Sequence, residues 1–285
     1  MKRPRGIFCL ARNESVFLPI WVGYYRRFFD PSDILVFDCK SVDDSAEKLS
    51  VARLAQVIPF EVPELVGFPM YTTLVCGIQR KLLELYETVV FTETDQILFH
   101  PAGLGGYLDS FNREGVCATG YEIHHRPEIE APIDLSQPIL SQRRFWHRND
   151  TLDSPLIARI PLEWSSSGLL TASNVTDRDP NLLVLHLQKM DYQTTFGRNN
   201  RTLSYKSVKD GIGGSPPRKH LLFDEDFDRW LIRDLYRCDQ DAVATNRSRE
   251  GFLIDEEFDR WFHQESLSGN AIEEIPLALR LPPLF

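Results

Sequence analysis

Long apolar runs are missing from this 285-residue chain. No stretch approaches the roughly 18 consecutive apolar residues of a membrane-spanning helix. The N-terminus Met1-Lys2-Arg3-Pro4-Arg5 is basic, but the apolar stretch that follows, Ile7 to Ala11, is too short for a secretion signal. The expected location is therefore the cytoplasm, with no membrane span and room only for peripheral membrane contact. Cysteine is sparse: five residues, at 9, 39, 76, 117 and 238, with no metal-binding spacing and no disulfide framework. Positive charge is also in deficit. A net charge of −9 argues against a nucleic-acid binder, which needs a basic face. Glycine is absent from the turn after the first apolar run, Arg12-Asn13-Glu14-Ser15. That excludes the Gly-rich phosphate loop of a dehydrogenase or a nucleotidyltransferase.

What remains is an ordinary soluble composition, 42% hydrophobic and 26% charged, with charged residues gathered in local spots. Arg143-Arg144 with Trp146, His147 and Arg148 is one basic spot and Arg218-Lys219-His220 another; both suit a small anionic ligand. His124, His125 and His147 lack metal spacing and are expected in loops. Cys9, Cys76 and Cys117 sit in apolar stretches and are expected in the core.

The first half alternates short β-branched runs with helical periodicity. Strands are expected at 6–11, 33–38, 57–60 and 88–92, with Pro59 marking an edge. Helical spacing runs through Phe17, Ile20, Trp21, Tyr24, Tyr25 and Phe28, and again through Tyr71, Leu74, Val75, Ile78, Leu82 and Leu85. Asp44-Ser45-Ala46-Glu47 reads as a capping box opening a helix between them. This order predicts an α/β fold with a mostly parallel sheet flanked by helices. Residues 121–165 are rich in Pro, His and Arg and predict irregular structure or short antiparallel strands. Leu182 to Leu187 reads as a last buried strand, 193–220 as a flexible loop, and the tail as helical. The tail contains a near duplicate, Phe223 to Trp230 against Ile254 to Trp261, expected to pin aromatic side chains to the body. Two units follow: a sheet domain over 1–215 and a small helical extension over 216–285.

Ligands of such sheets bind outside the carboxyl ends of the strands. Asn13, Asp38 and Asp95 all fall at predicted strand ends. Glu93 and Asp95, two apart, point to one side of an extended chain. Oxygen ligands there suit a divalent cation on a diphosphate.

Four stretches share a pattern. They are Ala11-Arg12-Asn13-Glu14, Phe37-Asp38-Cys39-Lys40-Ser41-Val42-Asp43-Asp44, Glu93-Thr94-Asp95-Gln96-Ile97-Leu98 with Pro101, and Leu185-His186-Leu187-Gln188-Lys189-Met190-Asp191-Tyr192. In that order they resemble the (K/R)-N-E, D-x-x-S-x-D, D-x-D-E-(I/F)-(L/V) and H-L-H-R-M-D-Y segments of glycosyltransferase family 2-like proteins, over roughly residues 5–195. Glu93 stands where the family usually has Asp, Gln96 where it has a second acid, and Gln188 where it has a histidine.

The resemblance implies a GT-A fold and a glycosyltransferase that uses Mn²⁺ or Mg²⁺ and a nucleoside-diphosphate sugar, with a glycan or glycolipid as acceptor, as in polysaccharide biosynthesis. It places Arg12, Asn13 and Glu14 beside the nucleotide and Asp38 on its base or ribose, with Asp43 shaping that loop. Asp95 is then the leading metal ligand, Glu93 holds ribose or metal, and His186 completes the metal shell. An inverting enzyme also needs an acceptor-side carboxylate; Asp191, Glu163 and Asp177 are candidates. The departures suit a second reading, a catalytically weakened nucleotide-binding or scaffold relative of the same fold.

Overall fold

The computed structural model describes residues 1–60, 68–164, 171–198 and 271–280. The near duplicate, the Arg218 cluster and most of the 216–285 extension lie outside the described residues. In chain order the elements are β1 (Arg3–Ala11), α1 (Phe17–Tyr25), β2 (Ile34–Asp38), α2 (Ser45–Val51), β3 (Gln56–Pro59), α3 (Phe68–Leu85), β4 (Tyr86–Phe91), β5 (Gln96–Phe99), α4 (Leu104–Asp109), β6 (Gly115–His124), α5 (Ile139–Gln142), β7 (Phe145–Arg148), β8 (Pro155–Ala158) and β9 (Arg178–His186). A helix α6 covers 192–198, and β10 (Glu273–Glu274) precedes α7 (Leu277–Arg280).

All ten strands join one sheet in the order β10-β7-β6-β8-β4-β1-β2-β3, with β9 pairing β5 and β6 off that path. The block β4-β1-β2-β3 is parallel, as the alternating pattern predicts. Pro59 ends β3, the edge strand of that block, where a missing amide costs no ladder bond. Strand β1 is central and its Ile7, Phe8 and Cys9 are fully buried, which is why it reads as a continuous apolar run. Residues 121–165 supply β7, β8 and the end of β6, with β7 and β8 each antiparallel to β6, as expected of short antiparallel strands. No described helix is long and apolar enough to cross a membrane.

Several local expectations need correcting. The 193–220 stretch begins as helix α6, not as loop, because Thr195 N donates to Asp191 O and the Thr195 hydroxyl bonds Asp191 O at 2.7 Å. His124 and His147 are buried strand residues whose rings lie 6.1 Å apart, and His125 is buried too, so none is a solvated loop residue. The capping box does not form. Asp43 does the work instead, its Oδ1 accepting from Ser45 N at 3.2 Å and Ser45 Oγ at 2.5 Å. Strand β5 was not expected; its four buried residues follow the carboxylates directly.

Candidate active site

Asp95 sits in a turn, not in an extended strand end. Strand β4 stops at Phe91, and Gln96 N closes the turn on Glu93 O at 3.1 Å. The aromatic face of α1 fixes this turn. Trp21 Nε1 donates to Thr92 Oγ1 at 2.7 Å, and Tyr24 Oη donates to Leu98 O at 2.6 Å. Tyr25 Oη donates to Gln96 O at 3.3 Å and accepts from Leu98 N at 2.8 Å. The spacing that made α1 look like plain core therefore also delivers three polar handles to the turn, each satisfied where it is buried.

Strand β9 brings His186 to the same place. It lies in register with Gln96 on β5 and with Glu122 on β6. His186 Nε2 is 3.4 Å from Asp95 Oδ2, and Nδ1 is 2.8 Å from Glu122 Oε2. Glu122 is buried, and its other oxygen accepts from Lys189 N at 3.2 Å. Helix α6 adds Arg198, whose Nη1 meets Asp95 Oδ2 at 2.5 Å and whose Nη2 meets Glu14 Oε1 at 2.6 Å. The guanidinium also lies over the Phe17 ring, 4.7 Å from its centroid. One cation thus ties the turn after β1 to the turn after β4.

The electrostatics follow from this geometry. Burial pushes the Asp95 carboxyl up, but Arg198 and His186 outweigh it and hold Asp95 well below the usual carboxylate range. Burial opposes the charged form of His186, and the two carboxylates facing it overcome that and raise its pKa well above the ordinary value. Glu93 goes the other way: burial, then the Asp95 charge, push it up to about 7. Its side chain is held by Gln96, whose Nε2 donates to Glu93 Oε2 at 3.2 Å and whose Oε1 accepts from Glu93 N at 3.2 Å. Tyr71 Oη adds a bond to Glu93 Oε1 at 3.3 Å. Gln96 is thus a neutral partner that holds the Glu93 carboxyl without adding charge beside it.

The third wall is the loop after β2. Asn13 adopts φ +57°, and its Oδ1 accepts from Val42 N at 2.7 Å and Asp43 N at 3.3 Å. Asn13 N donates to Ser41 Oγ at 2.9 Å, and Asp38 Oδ1 accepts from Ser41 N at 3.1 Å. Asparagine tolerates the left-handed region, so it can turn the chain and clamp the neighbouring loop at once. Ala11 pairs with Asp38, and Phe8 with Phe91, so the tips of β2, β1 and β4 share one edge of the sheet. Residues 13, 38 and 95, expected to meet, are at that edge. Arg12 is half-buried beside them, and its charge lowers the pKa of Cys39, itself raised by burial.

Against this arrangement stand the comparisons with known proteins. No protein family and no curated protein matches the chain. Among solved structures it is similar to glucosyl-3-phosphoglycerate synthase from Mycobacterium tuberculosis. With Mn²⁺, UDP and glucosyl-3-phosphoglycerate bound, that protein is 16% identical over 75% of this chain and 82% of that one, with a TM-score of 0.36. With Mn²⁺, UDP and phosphoglyceric acid it aligns at 21% identity over 33% and 34%, TM-score 0.25. With Mg²⁺ and UDP the figures are 20%, 45%, 47% and 0.30. The chain spans about a third of the length of the first of these structures that it matches. Strand order and register, not these alignments, establish the fold of the present chain.

The three acceptor-side carboxylates are placed differently. Asp191 is buried, with Oδ1 accepting from Ile133 N at 3.0 Å and Arg143 Nη2 at 3.3 Å and Oδ2 accepting from Thr194 N at 3.0 Å. Burial raises its pKa, but the two backbone amides outweigh that and leave it lowered. So placed, it binds three segments together and is a poor proton acceptor. Asp177 is exposed and pairs with Arg113 at 3.5 Å. Glu163 is exposed, accepting from Ser173 Oγ at 2.8 Å, and its neighbour Trp164 packs on Phe91 at 6.0 Å beside the end of β4.

The Arg143 cluster corrects another expectation. Arg143 is buried on Asp191 and on the carbonyls of Ala131 and Met190, Arg148 is paired with Asp153 at 2.5 Å, and Arg144 with Glu274 at 3.0 Å. Arg143 is committed inside the fold, Arg148 is half-buried on its carboxylate, and Arg144 makes its pair at the surface, so the three charges do not converge on one anion site. Sequence reasoning missed Arg198 and Glu122. Arg198 sits in a polar stretch with no periodicity to mark it. Glu122 follows the strand alternation of β6 as an inward-facing acid, the one signal that marked it.

Among the described residues no three His, Cys, Asp or Glu side chains already form a metal cluster. The donors present nonetheless fit a hard cation that brings part of its own shell. Asp95 Oδ1 is buried and accepts no hydrogen bond, and His186 Nε2 faces the same carboxylate.

Proposed function

We propose that this chain is a divalent-metal-dependent glycosyltransferase that moves a sugar from a nucleoside-diphosphate sugar to an acceptor hydroxyl. The observation that carries this reading is the buried, unsatisfied Oδ1 of Asp95 at the shared tips of parallel strands. A buried carboxylate oxygen without a partner is costly, and a ligand arriving at this edge satisfies it. The motif resemblance supplies the substrate class; a glycan or glycolipid acceptor rests on that resemblance alone.

Asp95 and His186 are the residues that would hold Mn²⁺ or Mg²⁺, which when bound neutralises charge on the departing diphosphate. Glu122 accepts the Nδ1 proton of His186, so that Nε2, turned to Asp95, is the nitrogen that would give up its proton to the solvent on binding the metal. Asn13, with Asp38 and Asp43, holds the loop after β2 in one shape, and that loop with Arg12 forms the wall for base and ribose. Glu93, neutral up to about pH 7, can donate a hydrogen bond to a ribose hydroxyl. Glu163 is the acceptor-side carboxylate: it is exposed, among the described residues its carboxylate has only the Ser173 hydroxyl as partner, and its chain is anchored at the β4 tip by Trp164.

The test is calorimetric. UDP titrated into the full chain with Mn²⁺ should bind, and Asp95→Ala should abolish that binding while leaving the circular dichroism spectrum intact. Turnover of UDP- and GDP-sugars should require the metal. A chain that neither binds nor turns over any of these nucleotides with any divalent ion is not a transferase, and the scaffold reading replaces this one.

A further inference from the structure

Arg198 has no place in the motif pattern, yet it bridges Asp95 and Glu14 across the site. We propose that in the nucleotide-free chain Arg198 holds one oxygen of the Asp95 carboxylate and sets a fixed positive charge beside the other, so that a divalent cation loads together with a diphosphate and not alone. The inference rests on the nucleotide-sugar reading above and concerns the order in which that site fills.

Nη1 of Arg198 is 2.5 Å from Asp95 Oδ2. A hard cation takes carboxylate oxygen at about 2.0–2.6 Å, so on Asp95 it would stand close to the guanidinium, and the two positive charges would repel. Guanidinium does not lose its proton at any working pH, so it cannot yield by titration and must move. A lone divalent ion therefore meets an occupied carboxylate and a fixed positive charge. Oδ1 of Asp95 carries no hydrogen bond, but it is buried beside that charge.

A diphosphate changes the balance. It supplies negative charge to both cations and oxygens matched to the two-pronged geometry of guanidinium. Arg198 is built to swing between the two partners. Its Nη2 is tethered to Glu14 at 2.6 Å and its face rests on Phe17, so release of Asp95 leaves the side chain in the site. Glu14 belongs to the turn that the resemblance puts beside the nucleotide. Cation and diphosphate thus each favour the other's binding, and by linkage the coupling is reciprocal.

The experiment uses the full chain, wild type and R198Q, with MnCl₂ alone as one titrant and UDP at saturating Mn²⁺ as the other. R198Q should bind Mn²⁺ alone at least about tenfold tighter, since a charge in contact with the ligand oxygen is removed. It should bind UDP at saturating Mn²⁺ at least about tenfold weaker, since a charge-assisted grip is lost. These opposite signs separate the proposal from a merely structural role, which would weaken both. Unchanged or weaker Mn²⁺ binding, or unweakened UDP binding, overturns it. D95N/R198Q should lose the gain in Mn²⁺ affinity; if it keeps it, the ion sits elsewhere and the proposal falls. Should R198Q fail to fold by circular dichroism, R198K carries the test: a point charge that cannot span both carboxylates should give the same two signs at smaller amplitude. A wild type that does not bind UDP with Mn²⁺ sinks the reading of the site. A wild type that does so through Asp95, with no opposite-sign response at 198, sinks this inference alone.

Discussion

Glu93 and Asp95 are two residues apart and titrate in opposite directions. Asp95 faces Arg198 and His186 and stays ionised, whereas Glu93 is buried against that negative charge with only Gln96 and Tyr71 as neutral partners. In the unfolded chain Glu93 ionises near its ordinary value of 4.5; in the fold it holds its proton to about 7. Its contribution to stability is therefore fully present below 4.5 and lost as pH rises through 7. Glu93→Gln should leave the urea midpoint unchanged at pH 4 and raise it above wild type at pH 8; equal midpoints at both pH values would show that Glu93 ionises freely. Glu163 offers a separate test at this scale. Glu163→Gln should lower kcat by about 10²–10⁴-fold if it removes the acceptor's proton, with UDP affinity unchanged. A kcat that holds would pass the role to another carboxylate.

At the scale of elements, the site depends on how α1 grips the turn it does not belong to. Tyr25→Phe removes the partner of the buried Leu98 amide and should cost about 1–3 kcal/mol, read by urea denaturation. It should also weaken UDP–Mn²⁺ binding, because Asp95 rides on the same turn. Stability lost without any change in binding would mean that the turn keeps its shape without α1. Strand β6 has a comparable close contact at Gly120, where an added Cβ would lie 2.6 Å from Asn149 O and closer still to Leu152 Cβ. Gly120→Ala forces backbone apart and should destabilise by about 1–3 kcal/mol. Since Glu122 is two residues along the same strand, the shift should reach His186 and lower Mn²⁺ affinity as well.

At the scale of the molecule, the sheet has two halves with different duties. The parallel half carries Asn13, Asp38 and the Asp95 turn on one edge, and the antiparallel half brings Glu122 and His186 to meet it through β9. Ligand binding across that junction should stabilise the whole fold. UDP with Mn²⁺ at about 100 times its dissociation constant should add about 2.7 kcal/mol, seen as a rise in Tm by differential scanning calorimetry. The rise should vanish in Asp95→Ala. Mn²⁺ without UDP should give wild type little of it, whereas it should lift R198Q. A wild-type Tm that rises as far with Mn²⁺ alone would contradict joint loading.

The periodicity of apolar residues determined the parallel block and put residues 13, 38 and 95 at or just beyond the C-terminal ends of its strands, and Pro59 marked β3 as the edge, because strand and helix periods and the missing proline amide are local properties of the chain. His186 was singled out by the family resemblance and not by periodicity. Other features depended on side chains far apart in sequence. The sequence shows an acid at 122 and an arginine at 198, but only the pairing of β9 with both β5 and β6, and the start of α6 after it, brings them to Asp95. The same holds for Arg143, whose basic cluster reads as an anion site until Asp191 buries it. Local pattern sets which residues end a strand; three-dimensional packing alone decides which distant charge each of those ends will face.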